Sequence, residues 1–155
     1  MTFIARVLMI VALAAAAVAR ADNVEPTPGD WQTIKGVIGA QLVALRKDEG
    51  ARAFAFATRA LQAQFESAEN FMRMVHAGYQ PLIDARYDEF LEGAMIEGRV
   101  IQPLRIVLTD DTVLVALYTM QKDDDGRWRI AGCILAPSTT KSASALTPLR
   151  GFARA

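Results

Sequence analysis

Arg99-Val100-Ile101-Gln102-Pro103-Leu104-Arg105-Ile106-Val107-Leu108-Thr109, then Asp110-Asp111, then Thr112-Val113-Leu114-Val115-Ala116-Leu117-Tyr118-Thr119-Met120-Gln121 decides the fold. Two β-branched, apolar-rich runs separated by a short polar joint predict an antiparallel hairpin. The centre of the second run, Val113 to Tyr118, is apolar on both faces. That predicts an inner strand covered on both sides. Working outward, Asp88 to Ile96 precedes the pair across Glu97-Gly98. Arg127 to Ala136 follows it across the polar run Lys122 to Gly126. Four strands joined by short turns predict an antiparallel meander. In the last strand Arg127 and Arg129 alternate with Trp128 and Ile130, so it starts with one face in water.

Upstream of Pro81 the spacing changes from two to three and four. Ile34, Val37, Ile38, Gln41, Leu42 and Leu45 form the stripe of an amphipathic helix, with Asp30 placed to cap it. Lys47 to Gly50 ends that helix. Ala51 to Gln64 reads as a second helix, with Phe54, Ala57 and Leu61 on one side. Ser67 opens a third, whose apolar face is Phe71, Met74 and Val75, and which Gly78 ends. Tyr79-Gln80-Pro81 resists further helix, because the residue before proline disfavours that geometry. Helices followed by a meander predict an α+β domain: three N-terminal helices packed in a curved antiparallel sheet of about four strands.

The N-terminus has a separate reading. Arg6 precedes an apolar run, Val7 to Val18, and Ala19-Arg20-Ala21 follows. This is the pattern of a cleavable signal peptide over 1–21, too short an apolar run to span a bilayer. Residues 22–29 read as a flexible lead-in, 30–136 as the single domain and 137–155 as a disordered tail. A periplasmic or secreted protein with no stable membrane anchor after cleavage is expected.

The chain has 155 residues, with 17 basic and 17 acidic ones. Losing Arg6 and Arg20 leaves two more acids than bases. Without clustered Lys and Arg, nucleic acid is not an expected partner. Cys133 is the single cysteine, so no intrachain disulfide can form. One histidine and one cysteine, far apart, do not make a zinc site. Asp123-Asp124-Asp125-Gly126 has Gly132 where a calcium loop needs its glutamate, so it reads as a solvated turn. No metal and no cofactor is expected. Cys133 lies in an apolar strand and reads as an inert thiol, interchain pairing being the exception. His76, near the end of the third helix, reads as a surface or capping residue.

A set of local phrases occurs in order: Ala53-Phe54-Ala55-Phe56-Ala57, Gln64-Phe65, Phe71-Met72-Arg73-Met74-Val75 with Gly78-Tyr79, Gln102, Ala116-Leu117-Tyr118, and Asp125 to Cys133. With them the chain resembles the bacterial family called domain of unknown function 4864. The resemblance implies a cystatin-like, nuclear transport factor 2-like fold, a cone of helices and curved sheet. The chain departs from that pattern at Thr58-Arg59, where Ser/Thr-Pro is expected, and at Asp110-Asp111, where a glycine is expected.

The cone suggests a hollow. Residues that can face it are Tyr79, Gln102, Tyr118, Met74, Met120 and Trp128, with Asp84, Tyr87, Met72 and Met95 as further candidates. Methionines would give an adaptable apolar wall. Gln102 needs a hydrogen-bond partner in an apolar strand, and Pro103 beside it marks a bulge or an edge. Arg73, Arg105, Arg127 and Arg129 could hold an anion if they converge. The expected role is a non-enzymatic module that binds a small apolar molecule or a protein partner. The alternative implied by the fold is a small acid/base enzyme of isomerase or dehydratase type, with a carboxylate and a Tyr or His in the cone. A sheet-to-sheet homodimer is a third expectation.

Overall fold

The computed structural model describes residues 25–138; the stretch read as a signal peptide and most of the one read as a tail lie outside them. Five helices come first: α1 Pro28–Arg46, α2 Gly50–Ala55, α3 Arg59–Phe65, α4 Ala68–Gly78 and α5 Gln80–Asp84. Five strands follow: β1 Tyr87–Phe90, β2 Ala94–Ile96, β3 Arg99–Val107, β4 Val113–Lys122 and β5 Trp128–Pro137. They form one antiparallel sheet in the order β1-β3-β4-β5, with β2 on the same edge of β3 as β1. The sheet does not close into a barrel. The α+β reading holds, with helices on one sheet face.

The helices differ from expectation in three places. First, α1 begins before Asp30. Thr27 is its N-cap and Asp30 its third residue, and the two exchange hydrogen bonds as a capping box. Pro28 tolerates the first turn because that N–H has no helical partner.

Second, the stretch expected as one helix over 51–64 divides at Phe56–Thr58. The Thr58 N–H donates to the Ile130 carbonyl at 2.9 Å, and the Ile130 N–H donates to the Phe56 carbonyl at 2.9 Å. Strand β5 thus takes backbone groups that a continuous helix would use internally. The Thr58 hydroxyl then caps α3 by accepting from the Leu61 N–H.

Third, Tyr79 leaves the helical region at φ −127°, and a short helix restarts with Pro81 in its first turn.

In the sheet, the expected strand over 88–96 breaks at Leu91–Gly93. A side chain at Gly93 would collide with the Trp31 ring, so the break lies where α1 presses on the sheet edge. Glu97 and Gly98, at φ 50° and 74°, make the two-residue turn between β2 and β3. The β3–β4 joint is wider than Asp110-Asp111: Leu108 and Thr112 close it, with Asp111 at φ 65°.

Core residues from α1 (Ile34, Ile38, Leu42), α4 (Phe71, Val75) and the inner sheet face (Leu104, Ile106, Ala116, Ile130) are all buried. Burial of this apolar surface supplies most of the stability.

Gln102 is fully buried and has its partner inside the sheet. In an antiparallel pair of this kind two opposed residues exchange both N–H···O bonds. The Leu91 N–H donates to the Pro103 carbonyl at 3.0 Å, but proline has no N–H to return. The Gln102 amide supplies it, donating Nε2 to the Leu91 carbonyl at 2.8 Å. Gln102→Met should therefore lower stability in urea unfolding by about 1–3 kcal/mol. In a Pro103→Ala background, where a backbone N–H faces Leu91, the same change should cost about 1 kcal/mol less. Equal losses in both backgrounds would refute the substitution of side chain for backbone.

Candidate functional site

A cavity of about 300 Å³ lies between the helices and the inner face of β4 and β5. Each wall follows from a sequence stripe. Gln41 and Leu45 come from α1, one turn apart. Leu61 and Phe65 come from α3 with the same spacing. Phe71, Met74 and Val75 come from α4 at steps of three and four, and Tyr79 and Leu82 continue the wall. The floor is Tyr118 from β4 with Ile130, Gly132 and Cys133 from β5. Ala131 is unpaired there, because the β4–β5 register shifts between Thr119 and Met120. Phe71 holds the aromatic side together, 5.3 Å from Phe54 and, edge-on, 5.7 Å from Phe65 between ring centroids.

The polar groups at this cavity are uncharged. The Tyr79 hydroxyl donates to the Cys133 carbonyl at 2.7 Å. Burial raises the Tyr79 pKa, with Cys133 adding to the effect. Tyr118 is fully buried, and burial holds its phenol well above the ordinary range. Its hydroxyl has no hydrogen-bond partner of good geometry among the described residues; it lies beside the Cys133 thiol. Burial pushes that thiol up to about 12, which keeps it protonated and poorly nucleophilic at neutral pH. Gln41, 4% exposed, donates Nε2 to the Ala53 carbonyl at 3.2 Å. No Asp, Glu, His, Lys or Arg is among the lining residues.

Of the six residues singled out from sequence, Tyr79, Tyr118 and Met74 meet at this cavity. Gln102 is spent on the sheet edge. Met120 is buried in the core, where its cross-strand partners are Val100 and Ile130. Trp128 lies at the start of α1: its indole N–H donates to Asp30 at 2.6 Å, and the Lys122 ammonium sits 5.0 Å above its ring.

Asp84 pairs with Gln80 on the surface, and Tyr87 is half-exposed on the outer sheet face. His76 is exposed, with Nε2 3.2 Å from Asp48 and Nδ1 3.4 Å from Gln80. Three of the arginines are already paired: Arg105 with Glu89, and Arg127 and Arg129 both with Asp125, Arg129 also with Asp123.

Sequence reasoning placed Gln41 in an apolar stripe without giving it a role. A lone amide among core positions was the available signal. Leu61 and Phe65 were legible only as a helix face.

Fold and cavity together define a small α+β module with an apolar hollow between its helices and one sheet face. A family model described as "Domain of unknown function (DUF4864)" matches residues 28–143, and the chain belongs to that family. No curated protein and no solved structure matches it significantly.

The contact of Trp128 with Asp30 carries a pH dependence. The indole hydrogen bond first, then those from Thr27 and Lys122, hold the Asp30 carboxyl far below the usual carboxylate range. A depressed folded-state pKa stabilises above the unfolded value of about 4 and is lost as pH falls. Asp30→Asn should lower the melting temperature at pH 7, and the gap to wild type should narrow steadily below about pH 4. A gap independent of pH would show that the carboxylate's charge contributes nothing.

Proposed function

We propose that this protein is an exported module, periplasmic or secreted, that binds a small apolar molecule in the cavity under α3. The observation that carries this reading is the cavity itself, about 300 Å³ and walled by Leu45, Leu61, Phe65, Met74, Leu82 and Ile130. That volume is at the lower end of the roughly 300–1,000 Å³ typical of ligand pockets. It is about twice the ~150 Å³ that accommodates benzene, so two rings fit. Helices laid on one face of an open antiparallel sheet are also compatible with the nuclear transport factor 2-like arrangement that the resemblance implies. Binding is favoured over acid/base chemistry because no carboxylate or histidine lines the cavity with Tyr79 and Tyr118, and Asp88, the acid whose charge reaches Tyr118, is paired with Arg46.

The mature chain should bind the neutral two-ring fluorophore 2-methylnaphthalene saturably and one to one. Leu61→Trp, which fills the space below α3, should weaken that binding about tenfold. Absence of saturable binding, or an unchanged affinity in the variant, would refute the reading.

A second reading, self-association into a homodimer, is favoured by the outer sheet face. Ile134 is 64% exposed there and lies in one cross-strand row with Leu117 and Pro103. Light scattering after gel filtration should then give a dimer mass for wild type and a monomer for Ile134→Lys. A monomeric wild type at high concentration removes this reading.

A further inference from the structure

We infer that the molecule this cavity accepts is a neutral, apolar compound carrying a hydrogen-bond donor, an alcohol or phenol hydroxyl, directed at Gln41 Oε1. The inference rests on the binding reading above and adds the chemical class of ligand.

Gln41 is the most buried polar side chain on the cavity wall after Tyr118. Its orientation is fixed by chemistry: Nε2 donates to the Ala53 carbonyl, and a flipped amide would set two oxygens against each other. The other end of the amide, Oε1, then has no hydrogen-bond partner among the described residues. It also differs from the two buried polar atoms that the inner sheet face seals off without a partner, Gln102 Oε1 and Tyr118 Oη. Gln41 keeps 4% of its surface and lines the cavity, so its free oxygen is not sealed in as those two atoms are. A buried amide oxygen open to an apolar hollow is an acceptor awaiting a donor.

The other polar groups narrow the choice. The Tyr79 proton is engaged by the Cys133 carbonyl, so that phenol offers lone pairs to the cavity and no hydrogen. The Tyr118 hydroxyl is sealed against the Cys133 thiol. A ligand oxygen without a hydrogen would therefore face Gln41 as acceptor against acceptor. An anion would fare worse: no cation lines the cavity, and Arg46, on the α1 turn after Gln41, is held by Asp88 and the Leu82 carbonyl.

The test compares naphthalenes that differ in one substituent. Wild type should bind 2-naphthol several-fold more tightly than 2-methoxynaphthalene, the more apolar of the two, and should bind 2-naphthoate weakest. With 2-methylnaphthalene as reference, the preference for 2-naphthol should fall about five- to tenfold in Gln41→Met, the loss of one buried hydrogen bond. Comparing the ratio within each protein cancels differences in hydrophobicity. Should Gln41→Met not fold, the wild-type comparison of naphthol with its methyl ether decides the matter. Equal affinity for those two, or an unchanged ratio in the variant, overturns the donor inference while leaving the apolar cavity reading intact. Failure of every probe, 2-methylnaphthalene included, overturns both.

Discussion

The backbone exchange between Ile130 and the segment Phe56–Thr58 sets the rest of the molecule. Two hydrogen bonds, each 2.9 Å, tie the end of α2 to the sheet edge. Each peptide group used there is lost to a helix, so the helical run must stop and restart. The restart at Thr58 directs α3 across β5 as a short amphipathic helix with no buried residue of its own. A single straight helix over the same residues would have no means of turning Leu61 and Phe65 over the cavity. The hollow is thus the geometric result of a strand capturing a helix break. Arg129 and Asp123 reinforce the same junction. The Arg129 guanidinium donates to the Ala55 carbonyl at 2.7 Å, and Asp123 accepts from the Arg59 N–H at 3.2 Å.

A second local conflict is resolved at the opposite edge of the sheet. Pro103 sits within a nine-residue strand that pairs on both sides, a place where its missing N–H leaves a carbonyl unmet. The remedy is adjacent in sequence. Gln102 spends its amide on Leu91, which leaves its own Oε1 sealed without a partner. One unmet acceptor is exchanged for another, and β1 and β2 both stay on β3. Read from sequence alone, Gln102 looks like a pocket residue because a buried amide needs a partner; the structure supplies that partner from the backbone. The two glutamines therefore illustrate opposite outcomes of one rule. At Gln102 the donor end repairs the sheet and the acceptor end is closed in. At Gln41 the donor end clamps α1 to α2 and the acceptor end faces open space.

Much of the architecture was legible because it rests on periodicity. The stripe from Ile34 to Leu45 buries Ile34, Ile38, Leu42 and Leu45 as its spacing assigns, whereas the run Val113 to Tyr118, expected to be covered on both faces, buries only Ala116 and Tyr118, because the helices cover one face. What sequence did not disclose depends on partners distant along the chain. The split at Ala57 requires Ile130, and the break at Gly93 requires the Trp31 ring. Trp128 shows the same limit for the site. As an aromatic at the start of a strand it suits a hollow, yet its indole N–H needs an acceptor, and Asp30 provides one at the far end of α1. Tyr79, Tyr118 and Met74 came together because a helix end and an inner strand, each legible alone, face the same space.

The electrostatics of the cavity follow from its position beneath the helices. Charged side chains pair away from the wall, as Arg105 does with Glu89, and in the half-buried pair of Arg46 with Asp88 the two charges act on Tyr118 in opposite directions. Inside, only groups that tolerate dehydration without ionising remain: two phenols, a thiol and an amide. Burial shifts the phenols and the thiol toward their neutral forms, so no net charge develops on the wall near neutrality. Such a wall repels ions through desolvation and distinguishes neutral molecules by where they place a single hydrogen bond. With the Tyr79 proton committed to Cys133 and the Tyr118 hydroxyl enclosed, the side chains present acceptors only, the Gln41 amide oxygen and the Tyr79 lone pairs, and through these that distinction is made.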